Sequence, residues 1–209
     1  MNLVNALGGV VVVSGLAAGS AVAETVELDF FGLGGFGLSS ANEVGPNTPA
    51  TLPGPSFATG QETGGGLVLD TDANTLDFSF AFEGLTGGLF DAASGIHLHL
   101  VPDDAPNPFA ATGPIVFNLN SFDDPNVVNG NDPIAIGSPD GEVFGQLSFT
   151  EEQEADFLAG RYYLNIHSDA FRGGELRGNL VVPTAVPTPA ALGVGLALLG
   201  GVAARRRAR

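Results

Sequence analysis

The chain reads as an all-β protein, an antiparallel sandwich or barrel with one short helix. Three observations predict this. First, "ETVELDFFGL" alternates Val26, Leu28 and Phe30 with Glu27 and Asp29, and "TLDFSFAFEGL" alternates Leu76, Phe78, Phe80 and Phe82 with Asp77, Ser79 and Glu83. Such a period of two gives each strand one apolar face and one polar face. Second, further short runs of strand-forming residues follow, separated by Gly-, Pro- and Asn-rich connections. Third, a single stretch carries helix punctuation.

The elements follow in order. "ETVELDFFGL" supplies the first strand. "GLVLDTDANTLDF" reads as two strands joined by a tight turn at Asp72 to Asn74. "GIHLHLV", "GPIVFNL" and "EVFGQLSF" supply three more. In "TEEQEADFLAGR", Thr150 and Gln153 form a capping box, Glu151 and Glu152 suit the positive end of the helix dipole, and Gly160 provides the stop. "RYYLNIH" and "GELRGNLVV" complete the strands. The connections Pro102 to Pro114 and Ser121 to Gly141 are rich in Asp, Asn, Pro and Gly and read as solvated loops without regular Ca²⁺-ligand spacing.

Composition narrows the function. There are 23 acidic residues against seven basic ones, for a net charge of −16. All basic residues are Arg, and four of them (Arg205, Arg206, Arg207 and Arg209) cluster at the end of the chain. So negative a surface repels phosphate backbones, which excludes nucleic acid as a partner, and it attracts cations. There is no Cys, so disulfides, thiolate metal sites and Cys nucleophiles are excluded.

Both ends read as addresses. An apolar run from Ala6 to Ala18 leads to "AVA", with Ala21 and Ala23 as the small-x-small signature of signal peptidase. Residues 1–23 are expected to be a signal helix that is removed, leaving Glu24 first. Residues 24–183 form the domain. Residues 184–209 carry Pro187 and Pro189, an apolar helical run from Ala190 to Ala204, and then Arg205, Arg206 and Arg207. The run falls short of the roughly 20 residues that cross a bilayer comfortably, and the arginines favour the cytoplasmic side. This order of parts resembles the PEP-CTERM sorting signal of Gram-negative bacteria, with Thr188 where that family usually has Glu. The resemblance implies processing by an exosortase-like enzyme, membrane contact before that processing, and a final place in the cell envelope or outside the cell. A simple C-terminal membrane tail is the alternative.

The middle of the chain also carries a resemblance. "LSSANEVGPNTP", "TLDFSFAFEGLTG", "GIHLHL" with "GPIVFNL", "TEEQEADFLAG" and "YYLNIHSDAFRGGELRGNL" follow one another across residues 26 to 182. This looks like the CHRD domain, named from chordin and common in bacterial exported proteins. It implies an immunoglobulin-like or Greek-key fold and no established catalysis. The implied role is a structural or interaction module contacting extracellular-matrix or surface components.

All three histidines lie in the two most specific blocks of that pattern. On "GIHLHL", Ile96, Leu98 and Leu100 share one face and His97 and His99 the other. On "YYLNIHS", Tyr163, Asn165 and His167 oppose Leu164 and Ile166, and on "GELRGNL", Glu175, Arg177 and Asn179 oppose Leu176 and Leu180. If these strands are neighbours, His97, His99 and His167 can hold copper or zinc, with Glu175 or water as a fourth ligand. Asn165, Glu175 and Arg177 would be the surrounding polar cluster. The competing reading is a polar cluster that only holds the fold. No nucleophile elbow or catalytic triad order is present, so no enzymatic activity is expected.

Overall fold

The computed structural model describes residues 24–91 and 95–183. The signal and C-terminal helices expected at 1–23 and 184–209 lie outside the described residues, as do Ala21, Ala23, Pro187, Pro189, Arg205, Arg206 and Arg207. Among the described residues no helix is long and apolar enough to cross a membrane.

Eleven strands form one antiparallel sheet: β1 (Thr25–Gly32), β2 (Gly35–Phe36), β3 (Leu38–Ser39), β4 (Thr59–Asp70), β5 (Thr75–Glu83), β6 (Ile96–Leu100), β7 (Ile115–Asn118), β8 (Val127–Asn129), β9 (Gly141–Ser148), β10 (Tyr162–Ile166) and β11 (Leu176–Val181). Among the described residues one α-helix, α1, spans Glu151–Leu158. The main path runs β7-β6-β10-β11-β1-β4-β5-β9-β8, with β2 and β3 paired beside it. Hydrogen bonding along that path is unbroken. The sheet curls around one core, because Phe30, Leu67, Phe78, Leu98, Leu164 and Leu180, from six strands, border the same interior space of ≈ 10 Å³.

The apolar half of each alternating strand builds this core. Leu28 and Phe30 of β1, Leu76, Phe78, Phe80 and Phe82 of β5, and Ile96 and Leu98 of β6 are all buried in it. Phe30 meets Phe80 edge-on, with ring centroids 6.0 Å apart. The β4–β5 turn closes as expected: Asn74 adopts φ 53°, and Asp70 Oδ1 accepts from the amides of Asp72 and Ala73. Helix α1 starts at the expected box, where Thr150 N–H donates to Gln153 Oε1 at 2.9 Å, and stops at Gly160, φ 69°. Phe157 of α1 stacks on Tyr162 at 4.0 Å and caps one end of the core.

Two segments are more ordered than their composition suggests. Strand β4 begins at Thr59, well before its apolar residues, and a bulge between Glu62 and Leu67 absorbs its glycines. The connection 121–141 contains β8, whose Val127 reaches the core beside Leu147.

Phe80 is fully buried, whereas Val128 is 71% exposed. Phe80→Ala is therefore expected to destabilise the fold by about 3–5 kcal/mol, and Val128→Ala by no more than about 0.5 kcal/mol. Urea unfolding of the two variants checks this.

Candidate metal centre

The strand order brings the three histidine-related strands together. β6 pairs with β10, placing His97 opposite Asn165 and His99 opposite Tyr163. β10 pairs with β11, placing Asn165 opposite Arg177 and Tyr163 opposite Asn179. His167 follows directly after β10. Because alternate side chains share a face, these residues converge on the side away from the apolar core.

That polar face is not solvated. His97, Asn165, Glu175, Arg177 and Asn179 are all buried, with Arg177 only 1% exposed. Alternation distinguishes the two faces, but it cannot show that chain segments cover the polar one. The segment around Asn42 forms one part of the cover: Asn42 accepts from Gly34 N–H and donates to Gly37 O and to Arg177 O. The Pro102 to Pro114 connection forms another: most of its residues are solvated as expected, while several of its backbone carbonyls turn inward. Pro108 O and Ala111 O accept from Arg177 Nη2 at 3.0 and 2.8 Å, and Gly113 O meets His99 Nδ1 at 2.7 Å.

The three imidazoles form one group, with one ring nitrogen of each within 4.8 Å of the others. His167 Nε2 lies 3.1 Å from His97 Nε2. His167 Nδ1 contacts Arg172 O at 2.8 Å. A carbonyl only accepts hydrogen bonds, so His99 and His167 both carry their proton on Nδ1 and present a lone pair at Nε2. This backbone-oriented tautomer is the one a metal-ligating histidine needs. Among the described residues His99 Nε2 is buried and has no hydrogen-bond partner. With His167 Nε2 as acceptor, His97 Nε2 supplies the proton between the two rings, and a bound cation would replace it.

Burial lowers His99 to about 4, overcoming the opposite pull of its bond to Gly113. Burial likewise lowers His167. Both rings are therefore neutral near pH 7, the state that coordinates metal. His99 also stacks on Tyr163 at 4.7 Å with 5° between planes, and the Arg177 guanidinium covers the other part of that column, 3.6 Å from the Tyr163 centroid.

The donor set suits a borderline divalent ion. Tetrahedral coordination by imidazoles at about 2.0–2.1 Å requires nitrogens roughly 3.3 Å apart. The His97–His167 separation already approximates this, and His99 contributes a ring nitrogen within 4.8 Å of both. Glu175, set down above as a fourth ligand, is placed elsewhere. It accepts from Ser56 Oγ, Thr86 Oγ1 and Thr86 N–H at 2.7, 2.7 and 2.9 Å, and it is not part of the three-histidine group. Nor does it pair with Arg177, whose guanidinium bonds Asn179 Oδ1 and backbone carbonyls. Asn165 remains in the cluster, its Nδ2 donating to Gly173 O at 3.4 Å.

One further group was missed from sequence. Glu43 is 3% exposed, and burial pushes its carboxyl up to about 8 against the pull of Arg177 and the Val44 amide. It sits near Gly174, where φ is 124° and an added Cβ would overlap both Glu43 Oε1 and Asn165 Oδ1. Nothing in the local sequence distinguishes this Glu from the others. Only the neighbouring Asn42, a polar residue in a short 3-10 turn, signals a structured segment.

A curled antiparallel sheet with a covered, histidine-bearing polar face defines a β-module built around a buried polar layer rather than an open cleft. The family profile of the CHRD domain matches residues 35–180, and the chain belongs to that family. Membership is consistent with an extracellular or secreted protein. No curated protein and no solved structure gives a significant match.

Two of the perturbed groups, His99 and Glu43, predict opposite pH behaviour. His99 has a folded value below its unfolded 6.5, so its neutral form stabilises the fold fully above pH 6.5 and that stability is lost as pH falls toward 4, by about 3 kcal/mol. Glu43 has a folded value above its unfolded 4.5, so its contribution is complete below pH 4.5 and declines as pH rises to 8. Unfolding free energies across pH 4–8 should show His99→Gln flattening the change between pH 4 and 6.5, and Glu43→Gln flattening that between pH 4.5 and 8.

Proposed function

We propose that this chain is an exported CHRD module that binds copper or zinc through His97, His99 and His167. The observation that carries the reading is the three-imidazole group, one ring nitrogen of each within 4.8 Å of the others, with Gly113 O and Arg172 O holding Nδ1 of His99 and His167. A cluster serving only the fold gains nothing from leaving a buried lone pair on His99 without a protein partner. The absence of Cys and the presence of a single Met, at position 1, make the ligand set all-imidazole. That favours Zn²⁺ or Cu²⁺ over Cu⁺. The fourth position falls to water or an external ligand.

The module is a binding and structural unit rather than an enzyme in this proposal. Its immunoglobulin-like or Greek-key character belongs to the same reading, supported by the single core that the curled sheet encloses. Export by signal peptidase, sorting through a PEP-CTERM-type tail by an exosortase-like enzyme in a Gram-negative bacterium, and contact with extracellular-matrix or surface components complete it. The small-x-small site, the Pro187–Pro189 turn and the terminal arginines support those steps.

Mass-spectrometric metal analysis of the untagged protein, offered Zn²⁺ and Cu²⁺ in turn, should give near-stoichiometric ion. His97→Ala and His167→Ala should abolish it. Ion at 100 times its dissociation constant should raise wild-type stability by about 2.7 kcal/mol and leave both variants unchanged. Metal-free wild-type protein whose melting is indifferent to chelator would reduce the cluster to a fold-holding role.

A further inference from the structure

We infer that the face around Phe36 rests on a lipid bilayer while the C-terminal segment is in the membrane. The inference rests on the reading of Ala190 to Ala204 as a membrane segment. Phe36 of β2 is 65% exposed and neighbouring Leu33 is 55% exposed. Phe36 packs edge-on against Phe31 at 5.0 Å, and Phe31 packs against Phe109 at 5.4 Å. These three rings and Val181, Val182 and Pro183 line a groove of ≈ 190 Å³.

The occupant follows from where the chain leaves. Val181 to Pro183 are at once part of the groove wall and the last described residues. Only the stretch from Pro183 to Ala190 separates the groove from the apolar run, at most about 24 Å when fully extended. A domain of this size is roughly 40 Å across. A membrane segment starting at Ala190 therefore holds the groove's side of the domain closest to the lipid. That side carries the exposed Phe and Leu residues that partition into an interface. The rest of the domain carries three arginines against 23 acidic residues, so the lipid is zwitterionic rather than anionic.

The chain has no Trp, which permits a single-probe test on the full-length protein in phosphatidylcholine vesicles. Phe36→Trp reports on the groove face, and Val128→Trp on β8, four strands from β1 along the sheet path. The expected result is flotation of both variants with the vesicles, a blue-shifted Phe36→Trp emission quenched roughly twofold by bromine-labelled acyl chains, and unquenched Val128→Trp emission. Flotation with both probes equally unquenched overturns the docking of this face and leaves the membrane segment standing. Failure to float overturns the membrane segment and the docking together. Both positions are exposed, so neither substitution disturbs the core.

Discussion

The buried guanidinium of Arg177 is the constraint on which the covered face depends. A charge taken out of water costs several kcal/mol unless it is bonded and paired. Arg177 gathers partners through Nε and Nη2: Pro108 O, Ala111 O and Asn179 Oδ1 accept from it, the Tyr163 ring lies beneath it, and the Glu43 carboxyl is near enough to interact electrostatically. Three of these partners, Pro108, Ala111 and Glu43, come from outside the strands of the sheet. Their recruitment pulls two connecting segments over the polar face. Without the cation those segments would have little apolar surface with which to hold themselves down.

The covering segments orient the three-histidine cluster as a consequence. The same connection that binds Arg177 through Pro108 and Ala111 delivers Gly113 O to His99. It thereby fixes the tautomer, and its burial of the ring keeps the imidazole neutral. On an open polar strand, water would serve either nitrogen and the rings would turn freely. Here Gly113 O and Arg172 O orient two of the three rings, and the third, His97, meets His167 at 3.1 Å. The acidic surface, meanwhile, raises the local concentration of cations without competing as a ligand inside the layer.

Much of this was legible in the sequence, and what was not has a physical reason. Period-2 alternation in β1, β5, β6, β10 and β11 identified the strands and sorted their faces, because a one-residue slip would expose Phe30 or Leu98. The capping box located α1 to the residue. β2, β3 and β8 were invisible: two or three residues carry no period, and they form because longer strands offer them edges. The first half of β4 was hidden by its glycines, which serve the bulge. The histidines could be assigned to a shared face but not to one another's neighbourhood, since the adjacency of β6 to β10 depends on a pairing across more than 60 residues of chain. Glu175 was misplaced for a related reason. Sharing a strand face with Arg177 says nothing about Ser56 and Thr86, whose hydroxyls arrive from distant segments and occupy its oxygens.

The connection after β6 ties the separate features into one unit. Within a few residues it presents the Phe109 ring to Phe31 in the aromatic groove, the carbonyls of Pro108 and Ala111 to Arg177, and the carbonyl of Gly113 to His99. Its half-buried aromatic contact and its inward-facing carbonyls therefore cannot move independently. A displacement that lifts Phe109 from Phe31 must also loosen the acceptors of a buried cation, and such a cation tolerates the loss of acceptors poorly. The resistance to that displacement comes from Arg177 and is transmitted to the imidazole through three intervening peptide units or fewer. The orientation of His99 is thus tied to a buried cation that does not hydrogen-bond it, through a connection that packs over the polar face of the sheet.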